Sequence, residues 1–329
     1  MKDFQKLFDS FTKIKVGVIG DVMLDTYMWG RVDRISPEAP VPVVSLDEKE
    51  YRIGGAGNVA LNCHSLGSQV FILSVIGDDK EGLLLEELLV ENIIDTSYLI
   101  KSSSRITTNK TRIISRNQQM LRLDSEITTE LDKNNEEILL EQVRSFIQTH
   151  DPNVMIFEDY NKGVLTENII QKVMTICKEA GVITAVDPKR KNFFSYQHAD
   201  IFKPNLKEVK EGLNLLFEEL NPSLLNTIHL ELKNILAHKI SFITLSDKGV
   251  FYQQEGRASV IPSHLRNISD VSGAGDTVIA VAALVYAATQ NVHLMAEIAN
   301  IAGGLVCEEV GTVAIDKGRL QNECELLLS

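Results

Sequence analysis

The chain has 329 residues, of which 44% are hydrophobic, and its formal net charge is −12 with a pI near 5.1. This length and apolar content are sufficient for one large α/β domain with a buried core. The strong negative charge would repel the phosphate backbone of a nucleic acid or an anionic membrane, so we expect neither as a partner.

Neither a membrane span nor a secretion signal is predicted. The longest apolar stretch, around residues 278–288, is too short to cross a bilayer. The N-terminal segment MKDFQKLFDSFTKIK is amphipathic and lacks an apolar signal core. The four cysteines lie far apart, without a CxxC pair or a histidine at metal-ligand spacing. We therefore expect reduced, mostly buried thiols in a cytoplasmic protein.

Short apolar runs rich in β-branched residues recur along the chain, each followed by turn residues and a helical pattern. They are KVGVIGD (15–21), VFILSVIGDD (70–79), NVMIFEDY (153–160), VITAVDPK (182–189) and SFITLSDKG (241–249). This alternation predicts an α/β fold with a mostly parallel central sheet flanked by helices. Asp21, Asp159 and Asp187 stand at the ends of such runs, where ligands collect in open α/β sheets. The alternative is that these acids only cap the next helices.

Two segments break the alternation, PVPVVSL at 40–46 and RITTNKTRIISRNQQMLRLD at 105–124. Both have a β pattern without interleaved helices, and the second predicts a hairpin that turns near residues 115–118. We therefore expect one domain over residues 1–329 with a small β-sheet lid near 40–50 and 105–124. Exposed lid strands that pair with their twin would satisfy their own edges, so we expect a homodimer.

The stretch DVSGAGDT (270–277) sets an acid inside a glycine turn, before a helix predicted from Thr277 to about Gln290. Gly273, Ala274 and Gly275 leave the first N–H groups open to an anion, and the helix dipole adds partial positive charge. These groups should also keep Asp276 ionised as a proton acceptor beside a bound phosphate. The pairing predicts phosphoryl transfer to a hydroxyl. The alternative is a plain turn with Asp276 as the N-cap.

A second glycine cluster, RIGGAGNVALN (52–62), opens another predicted helix. Gly55, Gly57 and Ala60 fit GxGxxA, but a dinucleotide fingerprint should follow a buried strand, and the preceding DEKEYR is highly charged. A small-molecule site in which Asn58 offers its amide fits better. Simple punctuation of a helix start remains the alternative.

Two further patterns concern phosphate and metal binding. Asn205 and Glu208 lie one helical turn apart and could hold a hydrated Mg²⁺ near a triphosphate, or could simply form a helix cap. The hairpin carries Lys110, Arg112, Arg116 and Arg122, of which Lys110 and Arg112 share a strand face. Such a strip could bind a phosphate on the substrate, or could protect an exposed edge strand by its charge.

With DVSGAGD, GGAGN and NLKE on one α/β chain, the sequence resembles the PfkB, or ribokinase-like, family of carbohydrate kinases over essentially its whole length. Within that family, GDVMLDTYMWGRVDRISPEAPVPVV (20–44), RNQQMLRLD, EDYNKG and DPKRKN look like the kinases that act on D-glycero-D-manno-heptose 7-phosphate. The resemblance implies a ribokinase-like fold, with ATP and Mg²⁺ as cofactors.

The resemblance also implies roles for individual residues. Asp276 would be the base that accepts the proton of the C1 hydroxyl, and Gly273, Ala274 and Gly275 would form the anion hole. The implied ATP region comprises Asn205, Leu206, Lys207, Glu208, Thr244, Ser246 and Gly249, with Glu208 on Mg²⁺ directly or through water. The implied sugar site comprises Asp25, Gly54, Gly55 and Asn58, with Lys110, Arg112, Arg116, Lys162 and Lys189 as candidates for the 7-phosphate.

The implied reaction makes heptose 1,7-bisphosphate, a step towards ADP-heptose for the lipopolysaccharide core. A kinase for another sugar or sugar phosphate, such as fructose 6-phosphate or ribose, remains open. From another class, an NAD-dependent oxidoreductase or a non-catalytic nucleotide-binding module remains open. None of the seven histidines forms the HxGH pair of the nucleotidyltransferase domain that bifunctional relatives carry. We expect a separate adenylyltransferase, or a part of the protein outside this sequence, to act downstream.

Overall fold

The computed structural model describes residues 3–116, 118–217, 219–264 and 266–328. Its strands are β1 (Lys15–Gly20), β2 (Val22–Ile35), β3 (Pro42–Gly55), β4 (Gln69–Gly77), β5 (Asp95–Ser102), β6 (Asn109–Ser115), β7 (Gln118–Ser125), β8 (Val154–Glu158), β9 (Ile183–Asp187), β10 (Ile201–Phe202), β11 (Ile240–Thr244), β12 (Val250–Gln254) and β13 (Arg257–Ile261). Its α-helices are α1 (Phe4–Ser10), α2 (Ala56–Ser65), α3 (Lys80–Glu91), α4 (Lys133–His150), α5 (Glu167–Ala180), α6 (Leu206–Gly212), α7 (Pro222–Leu236), α8 (Ala274–Thr289), α9 (Val292–Val306) and α10 (Lys317–Leu328).

The large sheet has the order β13-β12-β11-β10-β9-β8-β1-β4-β5. Its pairs are parallel except at one edge, where β11, β12 and β13 run antiparallel. Alternate side chains enter two apolar cores: Ile156 of β8 packs on one face and Phe157 on the other. The predicted α/β fold with a mostly parallel central sheet is confirmed, and burial on both faces explains why its strands are continuous apolar runs.

The strand order reverses beside β1, which pairs with β4 on one side and with β8 on the other. Such a reversal leaves a crevice beyond the carboxyl ends of the strands, because the connections leave in opposite directions. Asp21, Asp159 and Asp187 lie at these ends, and each is buried.

A small mixed sheet, which we call the lid, has the order β3-β2-β6-β7. Its β2–β6 pair is parallel and its other two pairs are antiparallel. The hairpin of β6 and β7 lies within the predicted segment 105–124 to within one residue. Strand β2 was not predicted, because it follows β1 after Asp21 alone and changes along its length from buried to exposed. The charged run DEKEYR (47–52) forms part of β3. It is therefore a strand, but it belongs to the exposed antiparallel part of the lid and not to the buried parallel sheet.

Helix α8 is the central helix of one core. Its residues from Asp276 to Tyr286 are all buried, and it packs against α2, α9, β8 and β9. A helix that is apolar all round requires such enclosure, which fixes the position of its first turn. Among the described residues, no helix is both long and apolar enough to span a membrane. The four cysteines are buried and free, as predicted.

We expect Phe146→Ala to lower the free energy of unfolding by about 3–5 kcal/mol, because Phe146 is fully buried and packs against Phe71, Tyr98 and His150. Denaturant unfolding measures the change. Phe194→Ala is the matched control, since Phe194 is 37% exposed and its loss should cost clearly less. Equal losses in the two variants would contradict this description of the core.

Candidate active site

The strand ends of the large sheet place three charged side chains in one row. Glu158 in β8 pairs in register with Asp187 in β9, and Lys203 directly follows β10, where Phe202 pairs with Val186. Parallel strands in register project equivalent residues to the same face, here the face that α8 covers. Nζ of Lys203 lies 2.8 Å from Oδ2 of Asp187, and the Lys203 side chain is 2% exposed.

The carboxylate of Asp276 lies beside this row, in the first turn of α8. Gly273, with φ of 78°, is the N-cap of the helix. The Tyr160 hydroxyl donates a hydrogen bond to Oδ1 of Asp276 at 2.8 Å, and the Asn58 amide donates one to Oδ2 at 2.8 Å. Asp276 is only 3% exposed. It is therefore a buried carboxylate held by two donors and not the N-cap that the sequence left as an alternative.

The ionisation of Asp276 differs from the sequence prediction. We expected the first-turn N–H groups and the helix dipole to favour its charged form. Burial instead raises the pKa of Asp276 to about 6; the hydrogen bonds from Asn58 and Tyr160 act in the opposite direction, and the charge of Asp187 adds to the rise. A pKa near 6 leaves the group mostly ionised at pH 7 but with much more proton affinity than an exposed aspartate, which suits a general base.

The glycine turn forms an open cradle beside that base. A β-carbon at Gly273 would lie 2.8 Å from the Asn58 amide nitrogen, so a side chain there would disturb the donor to Asp276. A β-carbon at Gly275 would lie 3.6 Å from Oδ2 of Asp187 and 3.8 Å from Nζ of Lys203. The Ala274 N–H donates to the Val271 carbonyl at 3.3 Å, so it is not free as the sequence predicted. An anion at the N–H of Gly275 would have the Lys203 ammonium close by.

Glu158 is the most unusual group in the row. It is fully buried, and neither of its carboxyl oxygens has a hydrogen-bond partner among the described residues. Burial, followed by the nearby charges of Asp187 and Asp276, raises its pKa well above the ordinary value. Asp187 is held charged: burial opposes its ionisation, but Lys189 and Lys203 keep its pKa below the ordinary value. Two acids on adjacent strands thus have opposite tendencies to ionise.

The predicted ATP region forms one edge of the crevice. Asn205 caps α6, and it shares a reciprocal capping box with Glu208; Leu206 and Lys207 lie between them in the first turn. A parallel bridge joins Asn205 to Thr244, so the two predicted nucleotide segments are neighbours. Ser246 and Gly249 follow in the next turn.

The conformation of that turn requires glycine at position 249. Gly249 has φ of 92°, which favours glycine. Its α-carbon also lies against the backbone of the segment after β13, because a β-carbon at this position would be only 2.6 Å from the Ser263 nitrogen. Ser246 also has a positive φ of 58°.

The carboxylates at this edge already have partners. Oε1 of Glu208 accepts from Lys189 at 2.7 Å, and its Oε2 accepts from the Asn205 N–H at 2.8 Å. Among the described residues, no group of three or more acids, histidines or cysteines could hold a metal. Each Glu208 oxygen keeps a second lone pair, so this side chain could add one carboxylate ligand to a Mg²⁺ ion held mainly by phosphate oxygens and water, with Lys189 as its present cationic partner.

The predicted sugar residues meet where the lid joins the large sheet. Oδ1 of Asp25 accepts from Arg112 at 2.6 Å, and its Oδ2 lies 3.4 Å from the Thr312 hydroxyl. A side chain at Gly54 would collide with the Asp25 carboxylate, which explains the small residue. Gly55 has φ of 59° and is the N-cap of α2, so it turns the chain from β3 into the helix that carries Asn58.

Four cations lie together on the lid and are called the basic cluster below: Lys110, Arg112, Arg122 and Lys162. Three of them have carboxylate partners, which are Asp25 for Arg112, Asp124 for Arg122 and Glu126 for Lys162, at 2.6–2.7 Å. Arg112 and Arg122 are opposite each other in the β6–β7 register. Burial lowers the pKa of Lys110; the charge of Asp25 opposes this change, and the like charges of Lys162 and Arg122 add to it. Arg122 was named in the sequence pattern but not as a site candidate.

The structure does not bring Arg116 into this cluster. Its side chain is 77% exposed at the hairpin tip, where it pairs with Asp33 at 3.8 Å. Six residues of extended strand separate it from Lys110, a distance of about 20 Å. Lys189, the other outlying candidate, lies on the nucleotide side with Glu208, and its ammonium is 5.3 Å from the centre of the Tyr160 ring.

Sequence reasoning did not select Tyr160, Lys203 or Thr312. The signal for Tyr160 was its position just after a buried strand, next to an acid. Asp21 fixes its loop, because its carboxylate accepts hydrogen bonds from the N–H groups of Tyr160, Lys162 and Val164. Asp21 thus positions a site residue and does not cap a helix.

Comparison with known proteins identifies the family. Residues 13–317 match the model described as pfkB family carbohydrate kinase. The chain belongs to the pfkB family of carbohydrate kinases. The predicted class of enzyme is thereby confirmed. The dinucleotide interpretation of the GxGxxA cluster also loses its structural basis, because α2 follows an antiparallel lid strand and not a buried parallel one.

Curated relatives are proteins named bifunctional protein HldE. That of Syntrophotalea carbinolica is 38% identical over 304 residues, which is 91% of this chain and 60% of the relative. That of Sulfurimonas denitrificans is 35% identical over 317 residues, or 96% of this chain and 65% of the relative. That of Helicobacter pylori is 37% identical over 298 residues, covering 91% and 64%. The chain thus spans 60–65% of the length of these three relatives.

Solved structures show the same fold at low identity. Phosphofructokinase-2 from Escherichia coli superposes with a TM-score of 0.80 at 16% identity, covering 96% of this chain and all of that one. Arabidopsis thaliana ribokinase, complexed with ribose and ATP, gives 0.71 at 17% identity, covering 94% and 98%. The ribokinase-like fold predicted from the sequence is confirmed.

We expect Asp276→Asn to lower kcat by a factor on the order of 10²–10⁴, because the amide keeps the shape of the carboxylate but cannot accept a proton. A coupled ADP assay measures kcat, and ATP titration tests whether binding persists. Near wild-type turnover in a folded variant that still binds ATP would exclude Asp276 as the base.

The pH dependence of kcat/KM should follow the pKa of Asp276. The base acts when deprotonated, so activity should be full above its pKa and should fall tenfold per pH unit below about 6. An exposed aspartate would instead give an acid limb near pH 4. Steady-state kinetics between pH 5 and 8 at constant ionic strength measures the profile; a flat profile down to pH 5 would contradict the assignment.

Proposed function

We propose that the protein is an ATP-dependent kinase that phosphorylates D-glycero-D-manno-heptose 7-phosphate at its C1 hydroxyl to give the 1,7-bisphosphate. The observation that carries this proposal is the position of Asp276, a buried base between a phosphate cradle on one side and the sugar residues of the lid on the other. The heptose substrate rests on the resemblance of EDYNKG, DPKRKN and the 20–44 segment, together with relatives named HldE.

In the proposed reaction, the C1 oxygen attacks the γ-phosphorus of ATP as Asp276 takes the hydroxyl proton. The bond from the γ-phosphorus to the bridging oxygen breaks, and ADP leaves. First-turn N–H groups of α8 and the Lys203 ammonium would stabilise charge on the moving phosphoryl group. Glu208 would hold a Mg²⁺ ion that neutralises charge on the ATP phosphates.

The lid supports a phosphorylated acceptor over a neutral sugar. Its basic cluster lies on an otherwise acidic protein, and Arg112 and Lys110 come from adjacent positions on one strand face. Asp25 between Arg112 and Thr312 would accept hydrogen bonds from sugar hydroxyls. A doubly charged phosphate bound near Arg112 and Lys162 would set the sugar between that cluster and Asp276.

We further propose a cytoplasmic homodimer that associates through the lid. Strand β7 is exposed along its whole length and lies at the sheet edge, with Met120, Leu121 and Leu123 each at least 40% exposed. Pairing with a second copy would cover these side chains and the open edge. In this proposal, a separate adenylyltransferase acts further downstream on the route to ADP-heptose.

The decisive experiment is an ADP-release assay across a panel of acceptors: heptose 7-phosphate, fructose 6-phosphate, ribose and water. The proposal expects the highest kcat/KM with heptose 7-phosphate. A higher value with fructose 6-phosphate or ribose would assign another sugar kinase, and no ADP release with any sugar would contradict a kinase function.

We expect Arg112→Ala to raise the KM for the sugar phosphate by about 10- to 100-fold with little change in the KM for ATP, because a charge-assisted contact to phosphate contributes about 1.5–3 kcal/mol. Arg31→Ala is the matched control, since Arg31 is a lid arginine in an exposed pair with Asp47. Equal effects of Arg112→Ala on both substrates would contradict the phosphate site. An effect of Arg116→Ala as large as that of Arg112→Ala would restore the role predicted for Arg116 from the sequence.

A further inference from the structure

Tyr160 and Asn58 each donate a hydrogen bond to one oxygen of the Asp276 carboxylate. The Tyr160 hydroxyl donates to Oδ1 at 2.8 Å, and Asn58 donates to Oδ2. Each carboxylate oxygen keeps a second lone pair, but Asp276 is only 3% exposed, so the two donors cover its approaches. One of the two hydrogen bonds, from Tyr160 or from Asn58, has to break before Asp276 can accept a proton from a substrate.

Of the two donors, Asn58 is the fixed one. It is fully buried in α2, and its own carbonyl groups accept hydrogen bonds from the Asn62 amide at 2.8 and 3.3 Å. Tyr160 is half-buried and lies in the loop after β8, whose backbone Asp21 holds through the N–H groups of Tyr160, Lys162 and Val164. Among the described residues, its hydroxyl bonds to Asp276 alone, so no further hydrogen bond holds the phenol in place. The phenol is therefore the exchangeable donor.

Two ammonium groups from opposite sides of the crevice face the Tyr160 ring. Nζ of Lys110, from the lid, lies 5.0 Å from the ring centre, and Nζ of Lys189, from the nucleotide side, lies 5.3 Å from it. A phosphate is a stronger partner for an ammonium group than an aromatic face is. A phosphorylated acceptor bound in the basic cluster would thus draw Lys110 away from the ring and loosen the phenol.

We propose that Tyr160 is a specificity-determining positioning residue, whose hydroxyl caps Asp276 until a phosphorylated acceptor engages Lys110. This inference rests on the proposed kinase function. It explains how a site that must bind ATP avoids transferring phosphate to water, since the base is covered while the acceptor's phosphate is absent. Tyr160 itself takes up no proton and forms no bond in the transfer.

The test is Tyr160→Phe, which keeps the ring between the lysines and removes only the hydroxyl. We expect acceptor-free ATP hydrolysis and turnover of unphosphorylated sugars to rise about 2- to 10-fold relative to turnover of the sugar phosphate, the size of one hydrogen bond. The acid limb of kcat/KM should move up by about 0.3–1 pH unit, because a donor that favours the charged form of Asp276 is lost. Tyr98→Phe is the control, as it removes a phenol hydrogen bond to His150 far from the site.

A second measurement is independent of activity. In protein labelled with ¹³C at aspartate carboxyls, the Asp276 signal, assigned through Asp276→Asn, should titrate at higher pH in Tyr160→Phe than in the wild type. An unchanged titration, or unchanged acceptor selectivity in an active Tyr160→Phe enzyme, would overturn the inference. Failure of the wild type to phosphorylate any sugar phosphate would contradict the proposed function instead, and the two failures are thereby distinguishable.

Discussion

The site depends on one constraint, the burial of a carboxylate at the start of a helix that is itself enclosed on all sides. Helix α8 cannot shift without disturbing α2, α9 and the sheet, so the first turn holds Asp276 in place. The donors that face it come from two other elements, Asn58 from α2 and Tyr160 from the loop after β8. The proton affinity and the orientation of Asp276 therefore both follow from the packing of one apolar helix.

Buried carboxylates also hold the ammonium groups of this crevice in fixed positions in the absence of a ligand. Lys203 is buried against Asp187, and Lys189 bridges Asp187 and Glu208. Carboxylates act as internal counter-ions that keep the ammonium groups in place at low cost in reorganisation. An acidic protein can in this way hold ammonium groups inside its crevice, each beside a carboxylate.

Much of this architecture could be predicted from local sequence. Buried parallel strands such as β1 and β8 are continuous apolar runs, and α8 follows from its composition. Strand β2 escaped prediction because its burial changes along its length, which is a tertiary property. The glycine turn singled out Asp276 as a candidate base, but the direction of the pKa shift of Asp276 depends on its burial, which no local pattern contains. Lys203 lies in the site because of the register between β9 and β10, which the local sequence does not reveal.

The unpaired carboxyl of Glu158 has a consequence for protein engineering. A fully buried acid without a hydrogen bond lowers the stability of the fold, so position 158 is where a search for thermostable variants should find easy gains. Those gains would come at the centre of the crevice, beside Asp187 and Asp276, whose charges respond to this neighbour. A replacement that stabilises the fold at this position would therefore also change the electrostatic surroundings of Asp276.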